Sequence, residues 1–224
     1  ETRAAAAGGV TTLFEIPISK PCCSTPAELA RRRDHFAENA VVDFALYAAP
    51  GDLTEASRDT MTELGCIAWK IFTTAPPPGR GDEFDGLAFP DEADQLRALQ
   101  LLAPTGLPVV VHAESAPLLA HFAEAAAALD PADAATHGAS RPAISEAVAV
   151  ARLLTMNMTA GAKLHIAHVT SAETVAVLRA FAGTSDFTAE TCPQYLFATE
   201  ADVARAGVYA KVNPPIRTQA DQDA

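Results

Sequence analysis

Short β-branched, apolar runs alternate along the chain with longer stretches in which apolar residues recur at helical spacing. That rhythm is the signature of repeated strand and helix units. The runs predict strands at 10–16 ("VTTLFEI"), 41–48 ("VVDFALYA"), 66–72 ("CIAWKIF"), 107–112 ("LPVVVH"), 163–168 ("KLHIAH") and 186–191 ("DFTAET"). Helices fit 91–103, 115–129, 143–160 and 171–182, and the alanine-rich "HFAEAAAALDPADAA" reads as a helix and its loop. Two further helices have recognisable starts: "TPAE" from Thr25, with Pro26 at the first helical position, and "DLTE" from Asp52, where a capping side chain precedes a glutamate by three. The strands show no clean polar alternation, so both faces of the sheet are expected to be covered, as in a parallel α/β arrangement flanked by helices.

Two architectures share this rhythm, a doubly wound open sheet and a (β/α) barrel. The first advertises a glycine-rich phosphate loop after a strand. Here the glycines of "AAAAGGVTT" precede the strand, where they end a helix. A barrel collects its chemistry at the carboxyl ends of the strands, and those positions hold Glu15, Lys70, His112, Glu114, His168 and Glu190.

Composition narrows the partners. At 224 residues and 49% hydrophobic, the chain can bury the core of one large domain. A formal net charge of -12 argues against a nucleic-acid backbone or an anionic membrane as the main partner and favours a small molecule. Cys22, Cys23, Cys66 and Cys192 form no CxxC pair, so neither a disulfide framework nor a structural zinc site is expected, which suits a reducing cytoplasm. The apolar runs are too short to span a bilayer, so a soluble, cytoplasmic protein is expected.

Each candidate has a plain alternative. His112, ending "VVVH", also suits a core histidine bonded to a backbone carbonyl. His165 and His168 have opposite parity along one strand, so only His168, nearer the carboxyl end, is a ligand candidate; His165 is expected to be structural. Lys70 could snorkel or form a buried ion pair, and Glu190 could simply organise the loop "ETCPQY". What favours a site is coincidence: a lysine and two histidines at successive strand ends. Imidazole is the commonest metal ligand, and a lysine amine carbamylated by carbon dioxide becomes an anionic oxygen donor.

Seven stretches, "AAAAGGVTTLFEIP", "AWKIF", "VVVHAES", "ASRPAISEAVAVARLL", "LHIAHVTS", "ETCPQYL" and "KVNPPIR", resemble in order the cyclic amidohydrolases of the allantoinase, dihydroorotase and dihydropyrimidinase (hydantoinase) group. The resemblance implies a TIM-type (β/α)8 barrel that hydrolyses a cyclic amide with two divalent metal ions, zinc by donor type, and a carbamylated lysine. It implies that Lys70 bridges the ions, that His112 and His168 bind one of them, and that Asn213, Ser19 and Glu190 contact substrate. It further implies a cytoplasmic homo-oligomer, dimer or tetramer, acting on a small cyclic ureide or amide. Members of the group also carry an HxH pair on the first barrel strand and a metal-bound acid/base aspartate on the eighth, and neither is in this sequence. The 224 residues are therefore expected to be strands 2 to 7 of an incomplete barrel. They lack the small β-sandwich too, and are expected to be inactive when isolated.

Within the group the sequence leans toward allantoinase. Hydantoinases of this pattern carry a tyrosine five residues after the lysine, where Ala75 stands, and dihydroorotases an asparagine where Ile18 stands. "EIPIS" approaches the allantoinase "EMPLN", with Ser19 in place of its asparagine, and "ASRP" is shared. Dihydroorotase or hydantoinase activity is the alternative, as is a barrel that has lost its metal ligands and serves in assembly.

Overall fold

The structure, a computed structural model, describes residues 1–224 and divides into two compact units, Glu1–Val110 and Val111–Ala224. Six strands, β1 (Thr12–Glu15), β2 (Asp43–Ala48), β3 (Ala68–Phe72), β4 (Pro108–His112), β5 (Lys163–Ile166) and β6 (Phe187–Ala189), lie in chain order in one sheet. All six predicted strands are present, each shorter than its apolar run, and the registers are parallel: Thr12 lies beside Asp43, Tyr47 beside Ala68, and Leu164 beside Phe187. Parallel neighbours need a crossover, and helices supply it.

In the first unit, Pro26–Asn39 begins as predicted, with the Thr25 hydroxyl accepting from the Glu28 amide at 3.2 Å. The next helix starts later than predicted. It runs Glu55–Glu63 with Thr54 as its cap, while the Asp52 carboxylate accepts from the Thr54 amide and hydroxyl instead. Gly51 and Leu53, both at positive φ, turn the chain there, so the helix cannot start before that turn ends. Leu46, Trp69, Ile71, Leu99, Leu102 and Val109 are buried in this unit, and β3 is buried along nearly its whole length.

In the second unit, Ala143–Ala160 spans its predicted range and buries Ala147, Val150, Leu153 and Leu154. The predicted 115–129 helix is shorter, Ala116–Ala126, and a separate helix, Ala134–Ser140, follows behind the Asp133 cap. Coverage of both sheet faces holds for β3 and β4 but fails at the margins. Phe14 of β1 is 58% exposed and β6 is largely open. No helix is long and apolar enough to cross a membrane.

Candidate functional site

In the first unit Lys70 sits within β3 at 3% exposure, next in sequence to the fully buried Trp69 and Ile71. Strand parity puts Lys70 on the face of Phe72, whose ring centre is 5.1 Å from Nζ and which meets Phe84 edge to face. A snorkelling lysine would carry its ammonium to solvent, and this one does not. Ser19, in the loop after β1 of the same unit, is engaged locally, its hydroxyl donating to the Pro21 carbonyl at 2.7 Å.

In the second unit the ends of β4 and β5 bring two imidazoles together. His112 closes β4; His168 follows β5 in the left-handed region, with φ at 46°. His112 Nδ1 lies 3.0 Å from His168 Nε2, the rings meeting edge to face with centroids 4.8 Å apart. The parity argument for His168 therefore does not apply, since the residue has left the strand and a backbone turn aims its ring. On its far side, His112 Nε2 is 2.8 Å from Glu114 Oε2, and the Arg141 guanidinium donates to that same oxygen. His112 is thus buried against a carboxylate and a second ring.

His112 Nε2 faces an acceptor carboxylate and Nδ1 faces His168 Nε2, so the tautomer of the ring sets which nitrogen offers a lone pair toward His168. This donor set fits a cation. Two nitrogens bound to one zinc at about 2.0–2.1 Å in tetrahedral geometry lie roughly 3.3 Å apart, close to the separation here. The Glu114 bond behind His112 is the outer support that metal-binding histidines ordinarily have. No group of three or more His, Cys, Asp or Glu side chains stands ready to hold an ion by itself, and the histidine pair alone would offer two donors.

The loops after β4 and β5 share one support. The Ser115 amide donates to the Ser145 carbonyl at 2.8 Å. Buried Glu146, at the start of the Ala143–Ala160 helix, accepts from the Thr170 amide at 3.0 Å and the Thr170 hydroxyl at 2.6 Å. Arg217 donates through Nε to Thr170 Oγ1 at 3.0 Å and through Nη1 to the Arg141 carbonyl. Residues 141 to 146 therefore hold both the loop after β4 and the loop after β5.

The two buried carboxylates respond oppositely. Burial pushes the Glu114 carboxyl up, but the His112 ring and the Arg141 guanidinium together outweigh it and hold the group below the ordinary glutamate value. At Glu146 burial wins over the Thr170 bonds, and the group is raised. Glu114 thus contributes stability that is present above the unfolded value and lost as pH falls through its lowered folded value. Glu146 contributes stability that is present below the unfolded value and lost as pH rises through its raised folded value. Melting temperatures across pH 3 to 8 should show Glu114→Gln losing most relative to wild type at the neutral end, and Glu146→Gln gaining on wild type as pH rises. Parallel curves for all three proteins would contradict both assignments.

The remaining predicted residues are dispersed. Glu190 turns its side chain, 54% exposed, toward His165 Nε2 at 3.5 Å, while Thr188 Oγ1 lies 2.7 Å from His165 Nδ1. Its backbone does reach the histidine loop, the Val169 amide donating to the Glu190 carbonyl at 2.7 Å. Asn213 is exposed, in a segment held by Tyr195 Oη on the Pro214 carbonyl at 2.7 Å and by His137 Nε2 on the Val212 carbonyl at 2.9 Å. A cavity of about 450 Å³ in this unit is lined by Ala135, His137, Glu200, Val203 and Ile216 among others, and does not include the histidine pair. Sequence reasoning assigned no role to Glu114, Arg141, Glu146, Thr170 or Arg217. Glu114 had a positional signal, two residues beyond His112 at a strand end, and the other four lie within the stretches that resemble the cyclic amidohydrolases.

No family model matches the chain. It is 36% identical over 229 residues to an allantoinase of Solibacter usitatus, covering 99% of this chain and 48% of the relative. An L-hydantoinase of Paenarthrobacter aurescens is 32% identical over 221 residues, covering 97% and 46%. Among solved structures, the L-hydantoinase (dihydropyrimidinase) from Arthrobacter aurescens superposes with a TM-score of 0.90 at 30% identity, covering 99% of this chain and 48% of its own. The chain spans about half the length of the relatives it matches, and its six-stranded parallel sheet with flanking helices is an incomplete barrel of their kind. By sequence and by fold, the chain is a homologue of the allantoinases and hydantoinases, matched over about half of their length.

Proposed function

We propose that the protein hydrolyses a cyclic amide in a metal-dependent reaction, opening a ureido ring of the allantoin type. The observation that carries this reading is the His112–His168 pair, with Glu114 behind it, in a homologue of allantoinases and hydantoinases. We read residues 1–224 as the part of a catalytic barrel that holds strands 2 to 7.

In this reading His112 Nδ1 and His168 Nε2 hold one divalent cation, His168 moving its hydrogen to Nδ1 so that both facing nitrogens present lone pairs. Lys70 supplies oxygen donors as a carbamate: the neutral amine adds to carbon dioxide, an N–C bond forms, and one proton is released. This exchanges the positive charge of Lys70 for an anionic oxygen donor, and the 3% exposure of the residue keeps the product away from bulk water. A divalent cation, when bound, would supply Lewis acidity toward the amide carbonyl and activation of water near neutral pH. Nitrogen and oxygen donors suit zinc. Ser19, Glu190 and Asn213 are assigned to the substrate, and none of residues 1–224 is assigned as the acid/base.

Ala75 and Ile18 support allantoin over the competing rings, since each stands where a hydantoinase or dihydroorotase of this pattern has a substrate-reading side chain. The alternative, hydantoinase activity, draws on the fold match to an L-hydantoinase. Side-by-side kcat/KM measurements on allantoin, hydantoin, dihydrouracil and dihydroorotate, with zinc, manganese or cobalt added to the whole protein, decide between them. Allantoin is expected to be the best substrate. Another ring winning by tenfold or more would sink the allantoin assignment, and no turnover of any ring would sink the hydrolase reading.

A further inference from the structure

We infer that Glu114, clamped by Arg141, is a positioning residue that sets the tautomer of His112 and so directs the Nδ1 lone pair toward His168. Glu114 is fully buried and receives two donors on one oxygen, His112 Nε2 at 2.8 Å and the Arg141 guanidinium. A neutral imidazole has two tautomers, and in water neither is strongly held. Against this carboxylate only one is tolerable, because the other would turn a ring lone pair onto a buried anion. With the hydrogen fixed on Nε2, Nδ1 must be the lone-pair nitrogen, and Nδ1 is the atom 3.0 Å from His168.

The clamp itself is held. The Arg141 carbonyl accepts from Arg217 Nη1, and Arg217 Nε donates to the Thr170 hydroxyl, two residues beyond His168. Arg141 therefore belongs to a network that also fixes the loop after β5, so tautomer and ring separation are set together. The tautomer assignment stands on this geometry alone; its consequence for cation binding rests on the function proposed above.

The experiment has two readouts. The first is the protonation site of each His112 ring nitrogen, from long-range 1H–15N correlations of the metal-free protein, assigned with His112→Gln. The second is zinc affinity by competition with a chromophoric chelator. Wild type is expected to carry the hydrogen on Nε2. Glu114→Ala is expected to shift His112 toward the Nδ1–H tautomer or a mixture, and to weaken zinc about 10–100-fold. Glu114→Gln, which keeps an acceptor oxygen, should hold the Nε2–H form and lose less. A folded Glu114→Ala protein with the wild-type tautomer overturns the inference, and so does a wild type whose His112 carries its hydrogen on Nδ1. If Glu114→Ala does not fold, Arg141→Gln decides, since releasing the clamp must shift the His112 Nε2–H resonance and an unchanged resonance overturns the inference. Wild type that binds no zinc refutes the metal reading, while the tautomer comparison still decides the role of Glu114.

Discussion

Lys70→Ala is expected to abolish tightly bound metal and to lower kcat/KM by about 10³-fold or more, because it removes the donor that the proposed site draws from β3. Metal analysis of the purified variant and turnover of allantoin measure the two effects separately. Short carboxylic acids such as acetate or propionate are expected to restore part of the activity by standing in for the carbamate oxygens. A structural lysine behaves differently. If Lys70 served only as the cation of a buried ion pair, alanine would strand its partner at a cost of about 3–5 kcal/mol, and added carboxylates would not help. A variant that is strongly destabilised, unrescued and still loaded with wild-type metal would therefore end the ligand assignment.

Gly51→Ala is expected to destabilise the fold by about 2–5 kcal/mol, adding the left-handed penalty of an L side chain to an overpacking penalty. Gly51 has φ 67°, and a Cβ built there would lie 2.2 Å from the Ser24 carbonyl oxygen, a backbone atom that cannot swing away. Gly86 is pressed against the same place, its added Cβ falling 2.6 Å from the Gly51 Cα, and the Gly51 amide donates to the Gly86 carbonyl at 3.0 Å. The loops after β1, β2 and β3 thus meet backbone to backbone, next to the apolar cluster of Cys22, Ala49, Phe84 and Leu87. Gly65 is the control. Its φ is 91° but nothing lies within 4 Å of its added Cβ, so Gly65→Ala should cost only the conformational part, about 1–2 kcal/mol. Urea unfolding of both variants measures the difference, and equal midpoints would show that the close approach is not felt.

The sequence by itself determined the parts of this protein that depend on near neighbours. Strand positions were legible because β-branched runs such as "PVVVH" are bounded by turn and capping residues, and the helices that begin at Pro26 and Glu92 have their capping side chains, Thr25 and Asp91, directly before them. Lys70, His112 and His168 could be singled out because polarity at the carboxyl end of an apolar strand is a local anomaly. The misplaced helix start at Asp52 marks the limit of such reading: Glu55, read as the third residue after the cap, is the first residue of the helix, because the turn at Gly51 and Leu53 passed the capping role to Thr54.

Tertiary structure alone decided which polar groups meet. Glu114 and Arg141 are 27 residues apart, Glu146 and Thr170 are 24 apart, and Arg217 reaches back 76 residues to the Arg141 carbonyl. No periodicity joins such positions, because each bond depends on how complete elements pack. Parity along a strand assigned His168 its face, yet a left-handed residue beyond β5 is what turns its ring to His112. Glu190, a candidate by position, lies just beyond β6 and leans on His165, whose partner across the β5–β6 ladder is Thr188. A strand end offers a side chain to a site, and the packing around it, through burial and hydrogen-bond partners, decides what that side chain touches.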